Sequence, residues 1–129
     1  MSANRAGKPV FDASAVLALL QGETGEDKLR KLQARAVVNA VNAAEALAKL
    51  VNRGMPTREA RAAFDALHLE TLPFEPAMAA ISANYVHKGV SLGNRCFLAA
   101  AHAHGSGWTS DHSLAALSGS LVLPLNFFR

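Results

Sequence analysis

The stretch VFDASAVLALL, residues 10–20, joins a short apolar run to a helical pattern through a single acid. Val10 and Phe11 predict a brief strand, and the residues that follow predict a helix that fades at Gly22 and Gly25. Asp12 therefore stands where a strand ends and a helix begins. This unit sets the pattern for the rest of the chain.

The remaining sequence alternates strand-like and helical segments. Further strands are predicted at 35–39, 70–74, 108–109 and 121–123, and Gly105 to Gly107 reads as a turn. Further helices are predicted at 26–33, 41–53, 57–67, 76–87 and 112–117, with another that Ser91 caps and that runs to His104. Strands that alternate with helices predict an α/β fold with a parallel sheet covered on both faces. Ligands of such sheets bind at the carboxyl ends of the strands.

The composition is that of one modest, mildly basic domain. The chain has 129 residues, 50% of them hydrophobic, and a formal net charge of +3. We expect a single domain over 1–129, with residues 1–8 as a loose lead. The single cysteine, Cys96, excludes an internal disulfide and a cysteine zinc cluster.

The chain carries no pattern of a membrane or export segment. No stretch has the roughly 20 apolar residues of a spanning helix, and no apolar run follows the basic residues near the start. We therefore expect a cytoplasmic protein with no membrane partner. A charge of +3 is too small to indicate nucleic-acid binding by itself.

Two acids follow strand-like segments. Asp12 comes directly after the first strand, and Asp111 comes just after the strand at Trp108 and Thr109. We expect both carboxylates to project at the same edge of the sheet. Each acid also suits an alternative role as the N-cap of the helix that follows it.

A third acid, Glu45, interrupts an apolar face of a predicted helix. It shares that face with Val41, Ala44 and Ala48 at spacings of three and four residues, and we expect the face to pack inward. A carboxylate there is costly to bury unless a cation neutralises it. Two alternatives stay open: an acid at the rim of the core that reaches solvent, or a surface ion pair with Lys49 at i+4.

Together, these three acids would form a pocket of hard oxygen donors. Such a pocket suits Mg²⁺ or Mn²⁺, with water in the remaining positions. Phosphodiester hydrolysis is the reaction that this arrangement favours, because a bound ion activates water and steadies the departing oxygen. Three acids in a chain of this size do not establish the site by themselves.

Four motifs follow one another in a recognisable order and spacing. They are VFDASAVLALL, VNAAEALAKLVNRG, GVSLGNRCFLAAAHAHG and WTSDHSLA. Over about residues 10–129 they resemble the motifs of PIN-domain ribonucleases, above all of the VapC-type toxins. The resemblance implies a three-layer sandwich with a central, mainly parallel sheet flanked by helices, and a metal-dependent ribonuclease pocket of four acids.

The resemblance assigns four residues to that pocket. The first acid is Asp12, the second is Glu45 and the fourth is Asp111. By the resemblance, these three would hold Mg²⁺ or Mn²⁺. The third acid belongs in a motif SLGD, which here ends in Asn94. An amide oxygen ligates weakly and brings no charge, so we expect weakened metal binding and poor catalysis. A deliberately disabled protein and a naturally weakened member both fit this departure.

Supporting residues come from the same motifs. Ser14, Asn42 and Thr109 are placed to hydrogen-bond the acids or a metal-bound water, and Arg95 is placed to pair with a carboxylate or a phosphate. Each has a plain alternative: Ser14 and Thr109 as turn formers, Asn42 as a helix cap and Arg95 as a surface charge.

The sequence thus predicts a Mg²⁺- or Mn²⁺-dependent endoribonuclease toxin that hydrolyses RNA phosphodiester bonds, weakened by Asn94. By the same resemblance its partners are an RNA substrate, a cognate antitoxin and a second copy of the chain in a homodimer. The alternative is a non-catalytic PIN-like module that keeps antitoxin or RNA binding. A flavodoxin-like receiver is disfavoured because Asp12 is alone at its strand end. Which RNA is cut, and which antitoxin binds, stay open.

Other residues that invite a chemical role have simpler interpretations. The histidines lack metal-ligand spacing, and His112 reads as an exposed turn residue. Cys96 lies on an apolar helix face, where packing is its expected role. The basic run from Lys28 to Arg35 is a solvated helix face or, alternatively, a patch that tracks RNA. With three acids assigned to one pocket, the rest of the surface carries a larger basic excess than +3 indicates.

Overall fold

The computed structural model describes residues 7–87, 89–116 and 125–129. Its strands are β1 (Lys8–Phe11), β2 (Val37–Asn39), β3 (Glu70–Leu72), β4 (Gly105–Thr109) and β5 (Leu125–Phe127). They form one sheet in the order β3-β2-β1-β4-β5, and every neighbouring pair is parallel. The predicted central parallel sheet is confirmed.

Helices connect the strands. They are α1 (Ala13–Gln21), α2 (Glu26–Arg30), α3 (Ala40–Asn52), α4 (Thr57–Asp65), α5 (Pro76–Ser82) and α6 (Leu92–His104). Short 3-10 helices span Gln33–Arg35, Ala83–Tyr85 and His112–Leu114. The helices predicted at 26–33 and 76–87 therefore end earlier than expected, because the chain tightens into 3-10 turns. The helix predicted at 112–117 is a 3-10 turn at its start, and its last residue lies outside the described residues.

Both faces of the sheet are covered, because successive strand residues point in opposite directions. Phe11 and Val38 pack in a cluster with α1, α3 and α4, whereas Val10 and Val37 pack in a second cluster with α6. Cys96 is fully buried in α6, as its place on the apolar face predicts. Within the described part of the chain, no helix combines the length and apolar character needed to cross a bilayer.

The start of β4 corrects a predicted turn. The strand begins at Gly105 and runs through Gly107, which pairs with Val10 of β1. A Cβ atom on Gly107 would lie 2.7 Å from Cζ of Phe97 and 3.0 Å from Cβ of Ala101. Glycine is used here for close packing of α6 on the strand, not for a turn.

The first and last strands along the described chain also differ from the predictions. Lys8 belongs to β1 rather than to a loose lead, and its Nζ lies 2.9 Å from Oε1 of Glu70 in β3. The sequence does not predict β5, a three-residue edge strand whose Leu125 and Phe127 pair with β4. The strand predicted at 121–123 lies outside the described residues.

Candidate functional site

A pocket of about 200 Å³ opens at the carboxyl edge of the sheet. Asp12 follows β1 and Asp111 lies two residues after β4, so both acids reach the same edge, as expected. Helix α3 contributes Glu45, and the first turn of α6 contributes Asn94. The pocket therefore brings together the four residues that the motifs single out. Its lining also includes Ala13, Ser14, Leu17, Asn42 and Lys49.

Asp12 is a buried carboxylate held by three hydrogen bonds. As the N-cap of α1 it accepts from the Ala15 amide at 3.0 Å, and Oδ1 also accepts from the Ser14 hydroxyl at 2.6 Å. Its Oδ2 accepts from the Thr109 hydroxyl at 2.5 Å. Burial raises the pKa of the Asp12 carboxyl, and the nearby charge of Asp111 adds to the rise, although the hydrogen bonds oppose it. The capping role and the pocket role therefore belong to one side chain.

Asp111 is less buried than Asp12, and hydrogen bonds compensate its carboxylate charge better. Its Oδ1 accepts from the amide of Ser113 at 3.0 Å and from the hydroxyl of the same residue at 2.6 Å. Its Oδ2 accepts from Nδ2 of Asn94 at 3.1 Å. The hydrogen bond from the Ser113 hydroxyl is the main cause of a lowered pKa for the Asp111 carboxyl, because it outweighs the opposing effect of burial. The Ser113 amide, Asn94 and His112 lower the pKa further. The pKa values of the two sheet-edge carboxyls are thus shifted in opposite directions.

The position of Glu45 corrects one prediction. The buried face of α3 carries Asn42, Ala43, Ala46 and Leu50, whereas Glu45 and its neighbours at i−1 and i+3 are exposed. The face expected to pack inward therefore faces outward, and Glu45 lies at the solvent rim of the pocket. Alanine occurs on both faces of α3, so the sequence pattern gives little hydrophobic contrast between them. The buried face of this helix is therefore hard to predict from the sequence. Among the described residues, Glu45 makes no ion pair with Lys49 within 4 Å.

A chain of buried amides orients Glu45. The Asn39 side chain caps α3 by accepting from the amide of Asn42 at 2.9 Å, and its Nδ2 donates to Oδ1 of Asn42 at 2.5 Å. This fixes the direction of the second amide, whose Nδ2 donates to Oε1 of Glu45 at 2.8 Å and to the carbonyl of Gly93 at 3.1 Å. This amide relay, formed by Asn39 and Asn42, therefore orients the Glu45 carboxylate and connects α3 to α6.

Gly93 leaves the space that Glu45 needs. A Cβ atom there would lie 2.1 Å from Oε2 and 2.5 Å from Cδ of the Glu45 side chain. Any other residue would force the carboxylate to move. The glycine of the SLGN motif is thus a steric requirement of the pocket and not of the backbone, since its φ is not positive.

Asn94 sits in the first turn of α6. Its backbone amide donates to the hydroxyl of Ser91, the predicted N-cap, at 3.1 Å. Its side chain enters the pocket and donates to Asp111. The amide therefore interacts with the acid as a hydrogen-bond donor, in a place where a carboxylate would repel it.

Three of the four supporting residues contact the acids. Ser14 and Thr109 donate to Asp12, and each hydroxyl also accepts a backbone amide, from Ser110 and Asp111 respectively, at 3.0 Å. Asn42 holds Glu45, as described above. Arg95 does not line the pocket: its Nη1 lies 3.4 Å from the carbonyl of Val90.

Comparison with known proteins identifies the family. The family model of the PIN domain matches residues 10–118, a range that contains every acid of the pocket. The chain belongs to the PIN domain family. PIN domains are generally nucleases, and they generally use divalent metal ions.

Solved structures share the fold of this PIN domain at low sequence identity. A chain of VapBC2 from Rickettsia felis, solved bound to a DNA fragment from its promoter, superposes with a TM-score of 0.68 at 10% identity, covering 93% of this chain and 98% of that one. PAE2754 from Pyrobaculum aerophilum superposes with a TM-score of 0.58 at 21% identity, covering 86% and 79%. A search of curated proteins finds no match.

The donors of the PIN pocket fit a hard divalent cation. Its three carboxylates supply oxygen ligands of the kind that Mg²⁺ and Mn²⁺ prefer, and two amides, Asn42 and Asn94, line the pocket beside them. Burial raises the pKa of the Asp12 carboxyl, so a cation bound beside it would offset the cost of burying its charge. In the described ranges, no group of three or more His, Cys, Asp or Glu side chains is placed to hold a metal ion as it stands. The chemistry of the donors, not a preformed cage, carries the fit.

Several residues of the site are not found by reading the sequence. Asn39, Gly93, Ser113 and Lys49 all contact or line the PIN pocket. Only two of them have a signal in the sequence. Asn39 suits a helix cap three residues before another asparagine, and Ser113 lies two residues after an acid. The steric role of Gly93 depends on the approach of α3 to α6, which no local pattern contains.

We expect Asn39→Ala to destabilise the PIN domain by about 2 to 3 kcal/mol. The change removes the N-cap of α3 and leaves the buried Asn42 without a donor to its Oδ1. Urea unfolding measures the cost, with Asn84→Ala, an exposed asparagine, as the matched control. A cost for Asn39→Ala no larger than that of the control would show that the relay does not stabilise the fold.

Proposed function

We propose that this PIN domain is a VapC-type endoribonuclease, dependent on Mg²⁺ or Mn²⁺ and weakened by Asn94. The observation that carries the proposal is the convergence of Asp12, Glu45 and Asp111, with Asn94, on one pocket at the carboxyl edge of the parallel sheet. Membership of a family of nucleases supports the hydrolase class.

In this proposal Asp12, Glu45 and Asp111 hold the ion. When bound, a divalent ion lowers the pKa of a water molecule and steadies negative charge on the phosphate and the departing oxygen. Ser14 and Thr109 orient both oxygens of Asp12. Together with the Ala15 amide they leave one lone pair, on Oδ2, for a ligand. These hydroxyls support a ligand without adding charge.

The other residues of the pocket have separate tasks. Asn42 holds Oε1 of Glu45, which leaves Oε2 for a ligand or a water molecule. Asn94 can turn its oxygen inward only if its hydrogen bond to Asp111 is given up. Lys49 reaches the same pocket and supplies positive charge for the scissile phosphate. One missing carboxylate and one competing hydrogen bond together account for weak catalysis.

Partners follow from the same proposal. The fold is shared with a chain of VapBC2, and we extend the likeness to a cognate antitoxin that blocks the pocket, a homodimeric assembly and action on RNA in the cytoplasm.

The test is cleavage of purified ribosomal and transfer RNA by the protein as it stands. We expect slow cleavage in Mn²⁺, none in EDTA, and none for Glu45→Gln. Glu59→Gln, an exposed glutamate on α4, is the matched control and should cleave like the parent. Cleavage that persists in EDTA, or that Glu45→Gln leaves unchanged, would contradict the proposed chemistry.

A non-catalytic module is the second candidate, and one contact favours it. The hydrogen bond from Asn94 satisfies Oδ2 of Asp111 without a cation. Calorimetric titration with Mn²⁺ separates the two candidates, because the nuclease must bind the ion in the pocket and the module need not. Absence of Mn²⁺ binding together with retained RNA binding would favour the module.

A further inference from the structure

A second groove, of about 530 Å³, opens beside the acidic pocket. The two cavities share Ser14, Leu17 and Lys49 along their common border. Lys49 makes no ion pair among the described residues. Positive charge therefore begins directly at the mouth of the acidic pocket.

Two further cations continue from Lys49. Arg53, the C-cap residue directly after α3, follows Lys49 at i+4, as Lys49 follows Glu45. The acid and the two cations therefore form one row along α3 and its C-cap, with a rise of about 6 Å per step. Arg129 lies two residues after β5, far from Lys49 and Arg53 in the sequence, and lines the same groove. Distant segments thus converge to make this cationic surface.

The two arginines are held in place by their neighbours. Arg53 Nη1 lies 3.5 Å from Oε2 of Glu23, and Arg129 Nη2 lies 3.2 Å from Oε1 of the same carboxylate. Arg129 also donates to the carbonyl of Thr24 at 3.1 Å and stacks over Phe128 with 5.1 Å between guanidinium and ring centre. The arginine side chains remain 47% and 32% exposed. One carboxylate serves two guanidinium groups, each of which keeps donors for a further anion.

We propose that this cationic groove, lined by Lys49, Arg53 and Arg129, binds backbone phosphates of single-stranded RNA next to the bond that lies in the acidic pocket. The proposal rests on the proposed function for its substrate class. The lining favours a phosphate chain over a protein partner, because Leu17 is the one apolar side chain among the described lining residues. Protein partners need apolar anchors that this groove does not offer.

The test is binding of a fluorescein-labelled 12-residue oligouridylate, measured by anisotropy in EDTA over a series of salt concentrations. We expect Arg53→Gln and Arg129→Gln each to weaken binding by about 3- to 10-fold and to reduce the slope of log K against log salt by about 0.7. Arg58→Gln, an exposed arginine on α4 outside the groove, is the matched control and should change neither quantity.

The variant Glu23→Gln tests whether loss of folding could explain weaker RNA binding in the arginine variants. Removing this acid frees both arginines, so we expect RNA binding to tighten by about 3-fold or more, a change that unfolding cannot produce. If Glu23→Gln leaves binding unchanged while the arginine variants lose it, the groove does not act through its charge and the proposal is overturned.

The remaining outcomes separate this proposal from the proposed function. Equal slopes for Arg53→Gln, Arg129→Gln and Arg58→Gln, or no RNA binding by the parent protein, overturn the groove even if RNA is cleaved. Reduced slopes in a protein that never cleaves RNA support the groove and not the nuclease. Variants that keep RNA binding but lose binding of polyglutamate would assign the surface to an acidic polypeptide and overturn the proposal.

Discussion

Asn94→Asp is expected to raise the affinity of the pocket for Mn²⁺ by about 10- to 100-fold and to raise RNA cleavage by a similar factor. A unit charge pair about 4 Å apart is worth about 4 kcal/mol at an effective dielectric constant of 20. Part of that gain is lost to repulsion from Asp111, whose Oδ2 lies 3.1 Å from the present amide nitrogen. The remaining ~1.4 to 2.7 kcal/mol corresponds to the predicted range of affinity.

The same repulsion gives this variant a distinctive signature. Without a metal, Asn94→Asp should be less stable than the parent, and Mn²⁺ should raise its melting temperature by more than it raises the parent's. Asn84→Asp adds the same charge at an exposed site and should change neither Mn²⁺ affinity nor cleavage. A variant that binds Mn²⁺ no better than the parent would refute the account of Asn94.

Asp12→Asn, made in the Asn94→Asp protein, is expected to abolish cleavage by a factor of about 100 or more, or roughly 3 kcal/mol of transition-state stabilisation. Asparagine is nearly the same size and is an equally good N-cap, so the cap on α1 and the bond from Ala15 should survive. The Thr109 hydroxyl can accept from the new amide through its free lone pair. The change therefore removes charge more than structure.

The pH dependence of stability tests whether the pKa of the buried Asp12 carboxyl is raised, and Asp12→Asn supplies the comparison. Burial raises the folded-state pKa of Asp12 above 3.8, so between that value and the raised pKa the unfolded chain releases its proton first. In EDTA the contribution of Asp12 to the free energy of unfolding should therefore fall as pH rises through this window. Asp12→Asn, compared in the same background, should lack that fall. Equal pH profiles would show that Asp12 is not a strained, buried acid.

The strand–acid–helix unit could be predicted from the sequence because each of its parts is local. Two apolar residues, one capping acid and a run of helix formers define β1, Asp12 and α1 without reference to the rest of the chain. Ser91 as the cap of α6 is predictable for the same reason. The carboxyl-edge rule then places Asp12 and Asp111 together, since both follow parallel strands.

The errors arise where packing, and not local pattern, decides. β5 is a short edge strand whose pairing with β4 defines it. The sequence predicts Gly107 in a turn, yet it lies in β4, where Phe97 occupies the space that a side chain would need. The sequence predicts Glu45 on the buried face of α3 because alanine fits either face of this helix. Its correct place at the rim depends on the packing of α3 against α1 and α6.

The cationic groove shows the same limit more strongly. Its residues come from α1 and the turn after it, from α3 and its C-cap, and from the end of the described chain. Arg53 and Arg129 are more than 70 positions apart. The basic run from Lys28 to Arg35 is dense in the sequence, but Arg30 pairs with Glu26 and Arg35 donates to the carbonyl of Gly7. Charge density along a chain is a poor guide to charge density in space.

The most direct measurement of the central claim is a crystal structure of the protein soaked in Mn²⁺, with anomalous scattering used to locate the ion. The account predicts a peak in ligating contact with carboxylate oxygens of Asp12, Glu45 and Asp111, stronger in Asn94→Asp than in the parent. A pocket without a peak in the Asn94→Asp crystal, or a Mn²⁺ ion bound only elsewhere on the chain, would contradict it.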